Sequence, residues 1–135
     1  MICVDTTVLI DLWRGKDLAD SRGRALLQRF AGEVFAIPCA AAGEFLEGAA
    51  YLSDQRLQEA LLFLELMDVL PQSRETAIHF ARAVAFLRRS GKLKGASKFD
   101  LWNAATAMEH GARFLTRNPR DFEGIPGLLL EGYTL

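Results

Sequence analysis

Short apolar runs that end at a polar or breaking residue alternate along the chain with longer stretches whose apolar side chains recur at helical spacing. Met1–Val4 is apolar and stops at Asp5, the pattern of a buried strand. Thr6–Arg14 follows, with Val8, Leu9, Leu12 and Trp13 at helical spacing and Gly15 as its stop. Asp17 or Asp20 is placed to cap a second helix that runs to about Ala31 and carries Leu26, Leu27 and Phe30. Beyond Gly32, Val34–Ile37 reads as a second buried strand. Pro38 closes it and suits the first turn of a helix over Cys39–Leu52. The next helix is predicted with Asp54 as its cap and Leu57, Leu61, Leu62, Leu64 and Leu66 as its apolar stripe. Asp68–Leu70 is a short strand ahead of Pro71. Ser73, with Thr76 three residues on, opens a helix through Ser90 that turns Ile78, Phe80, Ala81, Val84 and Leu87 inward. Gly91–Ser97 is a basic loop. Lys98–Glu109 is apolar nearly all round, the mark of a central buried helix, and Gly111 ends it. Arg113–Thr116 and Leu128–Leu130 complete the strands.

Strands alternating with helices imply right-handed crossovers and a mostly parallel sheet, an α/β fold in which sites form at the carboxyl ends of the strands. The 135 residues are the length of one domain and show no repeat or linker. Half of them are hydrophobic and 24% are charged, which excludes disorder. The formal charge of −1 excludes a globally basic nucleic-acid coat but leaves room for a local patch. Cys3 and Cys39 lack metal-ligand spacing and read as buried free thiols of a reducing cytoplasm. No run approaches the roughly 20 apolar residues of a membrane span, and no basic leader precedes Asp5.

The carboxylates carry the chemistry. Asp5 directly follows the first strand, and Asp100 opens the central helix. Glu44 sits in the apolar, small-residue segment 40–46, which points to partial burial. Asp121 lies a short turn beyond the strand Arg113–Thr116, as does Asn118. Asp5 and Asp100 are each also placed to cap a helix. Brought into one cleft, such a cluster either takes up protons or binds a cation, and all-oxygen ligands favour Mg²⁺ or Mn²⁺. A metal so held suits phosphodiester hydrolysis.

Three blocks then carry a family resemblance: Val4-Asp5-Thr6-Thr7-Val8-Leu9-Ile10, Glu44-Phe45-Leu46-Glu47-Gly48, and Phe99-Asp100-Leu101-Trp102-Asn103-Ala104-Ala105-Thr106-Ala107 followed by Gly111 and Phe114–Phe122. In order and spacing the chain resembles PIN-domain proteins, in particular the VapC-type toxins of toxin–antitoxin pairs, over nearly its whole length. The resemblance implies a three-layer α/β/α sandwich and a Mg²⁺- or Mn²⁺-dependent ribonuclease. Asp5, Glu44 and Asp100 match the family's acidic metal ligands. Thr6 and Thr116 match supporting hydroxyl residues. At the fourth acidic position this chain has Asn118, with Asp121 three residues on, so either position is open as the fourth ligand and a second metal is not assured. Trp102 and Asn103 stand where small or aliphatic residues are frequent. The resemblance also implies a protein antitoxin whose segment enters a groove near Leu9, Leu12, Trp13, Phe45 and Leu46, and a homodimer to which the helix Ser73–Ser90 contributes.

Between Arg82 and Lys98 the chain is basic without an acid. Arg88, Arg89, Lys92, Lys94 and Lys98 are therefore read as a phosphate track toward Asp100, to which Arg117 and Arg120 would add. Two other readings compete. A haloacid-dehalogenase-type hydrolase also begins strand–Asp–helix, but wants a second aspartate where Thr7 stands. A binding module would keep the fold and its partners without turnover, and Asn118 is the residue that allows it.

Overall fold

The computed structural model describes residues 1–15, 22–93 and 95–133. Five parallel strands form one sheet in the order β3-β2-β1-β4-β5: β1 (Ile2–Val4), β2 (Phe35–Pro38), β3 (Asp68–Leu70), β4 (Arg113–Thr116) and β5 (Leu130–Gly132). The chain steps outward from β1 to β3, then returns to lay β4 on the other side of β1. The strand order therefore reverses between β1 and β4, the place where an open parallel sheet leaves a crevice at its carboxyl edge.

Period-two alternation in the short strands divides the core. Ile2, Val4, Ile37 and Leu115 turn to one face, onto Val8, Leu12, Ala41 and Phe45. This face is covered by α1 (Thr6–Gly15), α2 (Arg22–Arg29), α3 (Cys39–Leu52) and α4 (Asp54–Leu64). Cys3, Ala36 and Phe114 turn to the other face, onto Leu87 of α5 (Arg74–Arg89) and Leu101, Ala104 and Ala107 of α6 (Lys98–Glu109). The result is the three-layer sandwich with a parallel central sheet that the sequence predicts.

Most elements fall where the pattern places them, and the differences have local causes. The proposed caps Asp17 and Asp20 lie outside the described residues. Ser53, not Asp54, caps α4: its side chain accepts from the backbone N–H of Arg56 at 3.0 Å, and Asp54 is the first helical residue. The inward side of α4 is Ala60 and Leu64, while Leu61, Leu62 and Leu66 are exposed, because the helix docks by one narrow row onto α3. On α5, Ala81 faces solvent and Thr76 and Ala83 are buried instead. Ser73 and Thr76 form the anticipated capping box. Cys39 is exposed at the start of α3, so only Cys3 is the buried thiol foreseen. Burial first, and then the charge of Asp5, push the Cys3 thiol well above its ordinary range.

α6 carries both departures noted in the third block. Trp102 stacks on Phe80 of α5, with ring centroids 4.2 Å apart and planes within 9°. Asn103 is 1% exposed, and neither of its amide atoms has a hydrogen-bond partner among the described residues. An unsatisfied buried polar group costs about 1–3 kcal/mol, and leucine has the same branching and nearly the same shape. Asn103→Leu is therefore expected to raise the melting temperature by several degrees. Thermal unfolding by circular dichroism checks it, and a lower melting temperature would contradict the assignment of Asn103 as unsatisfied.

Candidate active site

β1 ends at Val4, and the chain turns directly into α1, which leaves Asp5 at the carboxyl edge of the central strand. Its Oδ1 accepts the backbone N–H of Val8 at 2.9 Å, so Asp5 caps α1 as the sequence allowed. Asp100 is held in a reciprocal box: its N–H donates to Ser97 Oγ at 3.1 Å, and its Oδ2 accepts the Ser97 N–H at 3.2 Å. Each cap uses part of its carboxylate and fixes the rest. The two helices thereby aim two acids at one spot.

That spot is a polar cavity of about 90 Å³, lined by Asp5, Thr7, Asp100, Thr116, Arg117, Asn118, Asp121 and Phe122. Thr116, nearly buried at the end of β4, accepts the Asn118 N–H through its Oγ1 at 3.1 Å. This bond shapes the turn into the short 3-10 helix Pro119–Phe122 that carries Asp121. Across the cavity rim, Gly95 approaches Asp121 so closely that a Cβ there would sit 2.0 Å from Oδ1. A Cβ at this point of the basic loop would force the Asp121 carboxylate to swing aside.

Desolvation at this edge pushes the Asp5 carboxyl up to about 6; the charge of Asp100 raises it further, and the N–H groups of Val8 and Thr7 and the charge of Arg117 oppose this. Asp5 is thus a carboxylate that lacks a sufficient counter-charge. An all-oxygen set with that deficit fits a hard divalent cation. Among the described residues, no group of three or more His, Cys, Asp or Glu side chains is arranged to hold a metal ion. A Mg²⁺ or Mn²⁺ ion here would take one or two carboxylates directly and complete its shell with waters.

Of the predicted site residues, the structure brings Asp5, Asp100, Asp121, Asn118 and Thr116 together. Thr6 and Glu44 border an adjoining groove instead, and the Thr6 hydroxyl donates to the Ala41 carbonyl at 3.5 Å. Glu44 is exposed rather than partly buried. The inward stripe of α3 is Ala41, Ala42, Phe45 and Ala49, and Glu44 lies off it. Arg88, Arg89 and Lys92 are exposed at the end of α5 and beyond it, and none borders the acidic cavity. Lys98 is exposed on the first turn of α6, and Lys94 lies outside the described residues.

The adjoining groove, about 340 Å³, runs between α1 and α3 past Ile10, Trp13, Phe45 and Leu52. Trp13 meets Phe45 edge-on at 5.0 Å, and the Arg56 guanidinium lies 4.5 Å from the Trp13 ring. Leu9 and Leu12, expected here, are fully buried core residues.

A buried group behind the site escaped the sequence reading. Asp11, 8% exposed, accepts the Tyr133 hydroxyl at 2.8 Å, and the Arg117 Nε stands 3.7 Å from the same oxygen. Burial, and then this bond to a carboxylate, hold the Tyr133 hydroxyl well above its ordinary range. The set anchors the last strand and the Arg117 guanidinium to α1. An acid at position 11 between the inward residues Val8 and Leu12 was the available signal.

The family model of the PIN domain matches residues 2–128. Ribonuclease VapC1 of Methanocaldococcus jannaschii is 29% identical over 133 residues, 98% of this chain and 86% of that protein. A toxin–antitoxin complex from Klebsiella pneumoniae contains a chain 26% identical, with a TM-score of 0.74 and full coverage of both chains. VapBC2 from Rickettsia felis, solved with a fragment of promoter DNA, gives a TM-score of 0.77 at 23% identity, covering 98% of this chain and 99% of that one.

Proposed function

The chain belongs to the PIN-domain family, and from that premise we propose that it is a metal-dependent endoribonuclease, the toxin of a VapC-type toxin–antitoxin pair acting in the cytoplasm. The observation that carries this reading is the convergence of Asp5, Asp100 and Asp121 on one small cavity at the reversal of strand order. The named ribonuclease among the similar proteins supports it.

In this reading Asp5 and Asp100 would hold Mg²⁺ or Mn²⁺, and Glu44 would contribute from the adjoining groove. When bound, such an ion polarises a phosphoryl oxygen and lowers the pKa of a water. Asp121 orients the attacking water and takes its proton. The Arg117 guanidinium, on the same cavity wall and steadied by Asp11, meets the charge that develops on the phosphate during in-line attack. Asn118 supplies a neutral oxygen where a fourth acid would stand.

The partner assignments rest on the groove beside Trp13. Its apolar floor between Glu44 and Arg56 suits a segment of an antitoxin that is mainly apolar with charged ends. A homodimer involving α5 belongs to the same proposal, and light scattering at micromolar concentration that gives a monomer would count against it.

The test is cleavage of pooled cellular RNA by the purified chain, with and without Mn²⁺ or Mg²⁺, beside Asp5→Asn and Asp100→Asn. Metal-dependent cleavage lost in both variants is expected. Metal binding by calorimetry without any cleavage would favour the inactive binding module that Asn118 keeps open. Cleavage that survives both substitutions would place the chemistry elsewhere.

A further inference from the structure

A second cleft, about 720 Å³, opens beside the acidic cavity and shares Arg117, Asn118 and Asp121 with it. Its far wall is α2, which contributes Arg22 and Arg29, and Arg120 closes it from the 3-10 helix. Four arginines thus face one cleft in which, among the described residues, Asp121 is the only acidic one. The charges are not equally engaged. Arg29 is bound to the Glu131 carboxylate at 3.0 Å and to the Gly132 carbonyl at 2.8 Å, and Arg117 leans on Asp11. Arg22 and Arg120 are exposed and make no ion pair or hydrogen bond among the described residues. Two guanidinium groups without a partner among the described residues are therefore presented at a concave wall large enough for a drug-sized ligand, for which about 300–1,000 Å³ is usual.

We propose that this cleft holds the phosphates of a single-stranded RNA on one side of the bond to be cut, and that Arg22 and Arg120 are its principal contacts. Guanidinium forks match phosphate oxygens. Arg117, Asn118 and Asp121 line both the cleft and the acidic cavity, so a strand lying in the cleft is directed toward Asp5 and Asp100. Among the described residues, Tyr133 is the one aromatic side chain in the lining, and it is buried and committed to Asp11, so it offers no ring to a base. The cleft therefore grips the backbone without reading sequence. Arg88, Arg89 and Lys92 border neither this cleft nor the acidic cavity. The inference rests on the ribonuclease reading for the fate of the strand, but not for its binding.

Binding is measured by fluorescence anisotropy with a labelled 12-nucleotide single-stranded RNA in EDTA, so that nothing is cut, over a series of salt concentrations. Arg22→Gln/Arg120→Gln is expected to weaken binding at least tenfold at low salt. It should also flatten the slope of log affinity against log salt by about 1.4, since each phosphate contact on a single strand carries about 0.7. Arg22→Lys/Arg120→Lys should keep that slope. Both positions are exposed, and an unchanged melting temperature verifies folding. Arg88→Gln/Arg89→Gln, which removes the same charge, should lose less than threefold. Equal losses in the two Gln pairs, or wild-type binding by Arg22→Gln/Arg120→Gln, overturn the proposal. Equal affinity and equal loss with polyglutamate would also overturn it, by showing a general polyanion seat. If the wild type binds RNA through these arginines but cleaves no RNA when metal is restored, the cleft stands and the ribonuclease reading falls.

Discussion

Asp5→Asn should make the metal-free protein harder to melt and, in the same step, abolish cleavage. Asparagine caps a helix as well as aspartate does, so the bond to the Val8 N–H survives. What the substitution removes is a desolvated negative charge. The carboxyl titrates at about 6 in the fold against an ordinary value of 3.8. Its folded pKa lies above its unfolded one, so the protonated form is the one that folding favours. The penalty is fully present above about pH 6, shrinks as pH falls through that value and is gone below 3.8. A shift of that size corresponds to at most about 3 kcal/mol, of which solvent screening removes a part. Asp5→Asn in EDTA at pH 7.5 is therefore expected to melt roughly 5–10 °C above wild type, and to lose that advantage near pH 4. Metal should raise the melting temperature of wild type alone. Cleavage by Asp5→Asn should fall about a thousandfold or more, equivalent to about 4 kcal/mol of barrier. A variant that melts below wild type without metal would mean that the carboxylate is already compensated within the fold.

The same carboxyl sets a pH dependence for loading. The ion displaces a proton from Asp5 whenever the pH is below about 6. Apparent Mn²⁺ affinity by calorimetry is thus expected to be flat from pH 8 to about 6.5 and to fall about tenfold per unit well below 6. A decline that begins only below pH 4 would show that Asp5 keeps an ordinary carboxyl in solution.

The acidic site was legible because its members are tied to element boundaries. Asp5 ends a strand and caps a helix, Asp100 completes a box with Ser97, and Asp121 follows β4 by one turn. Such positions are fixed by local pattern, and the parallel sheet brings the carboxyl ends of its strands together. What local pattern does not fix is rotation about a helix axis or contact between remote segments. On α4, overlapping rows of leucines gave no reason to prefer Ala60 and Leu64 over Leu61 and Leu62. On α3, alanines surrounding Glu44 in sequence did not bury it, because the inward row passes through Ala41, Phe45 and Ala49. The arginine cleft joins position 22 to positions 117 and 120, a meeting that only the fold creates. Both walls of that cleft depend on how α2 seats on α1.

That seating depends on two glycines. α1 and α2 approach so closely at Gly15 and Gly23 that a Cβ on Gly23 would lie 2.0 Å from the Asp11 carbonyl oxygen, and one on Gly15 would lie 2.5 Å from the Gly23 Cα. Both obstacles are backbone, which cannot rotate away as a side-chain tip can. Gly23→Ala must therefore lift α2 from α1. The lift would expose Leu26, now 3% exposed, and disturb Asp11, whose carboxylate holds Tyr133 and Arg117. Overpacking of this kind costs about 1–3 kcal/mol and more where the backbone cannot yield, so a loss of about 3 kcal/mol or more is expected, or about 10 °C in melting temperature. The intrinsic gain of alanine over glycine in a helix, about 1 kcal/mol, is too small to offset it. Gly43 and Gly48 on α3 have open space around their would-be Cβ atoms. Gly48→Ala is the matched control, in which that helix preference should appear alone as a slight stabilisation. Equal melting temperatures for Gly23→Ala and wild type would show that the two helices stand further apart in solution. The RNA affinity of Gly23→Ala, measured below its own melting transition, should also fall, because the wall that carries Arg22 has moved away from Arg117.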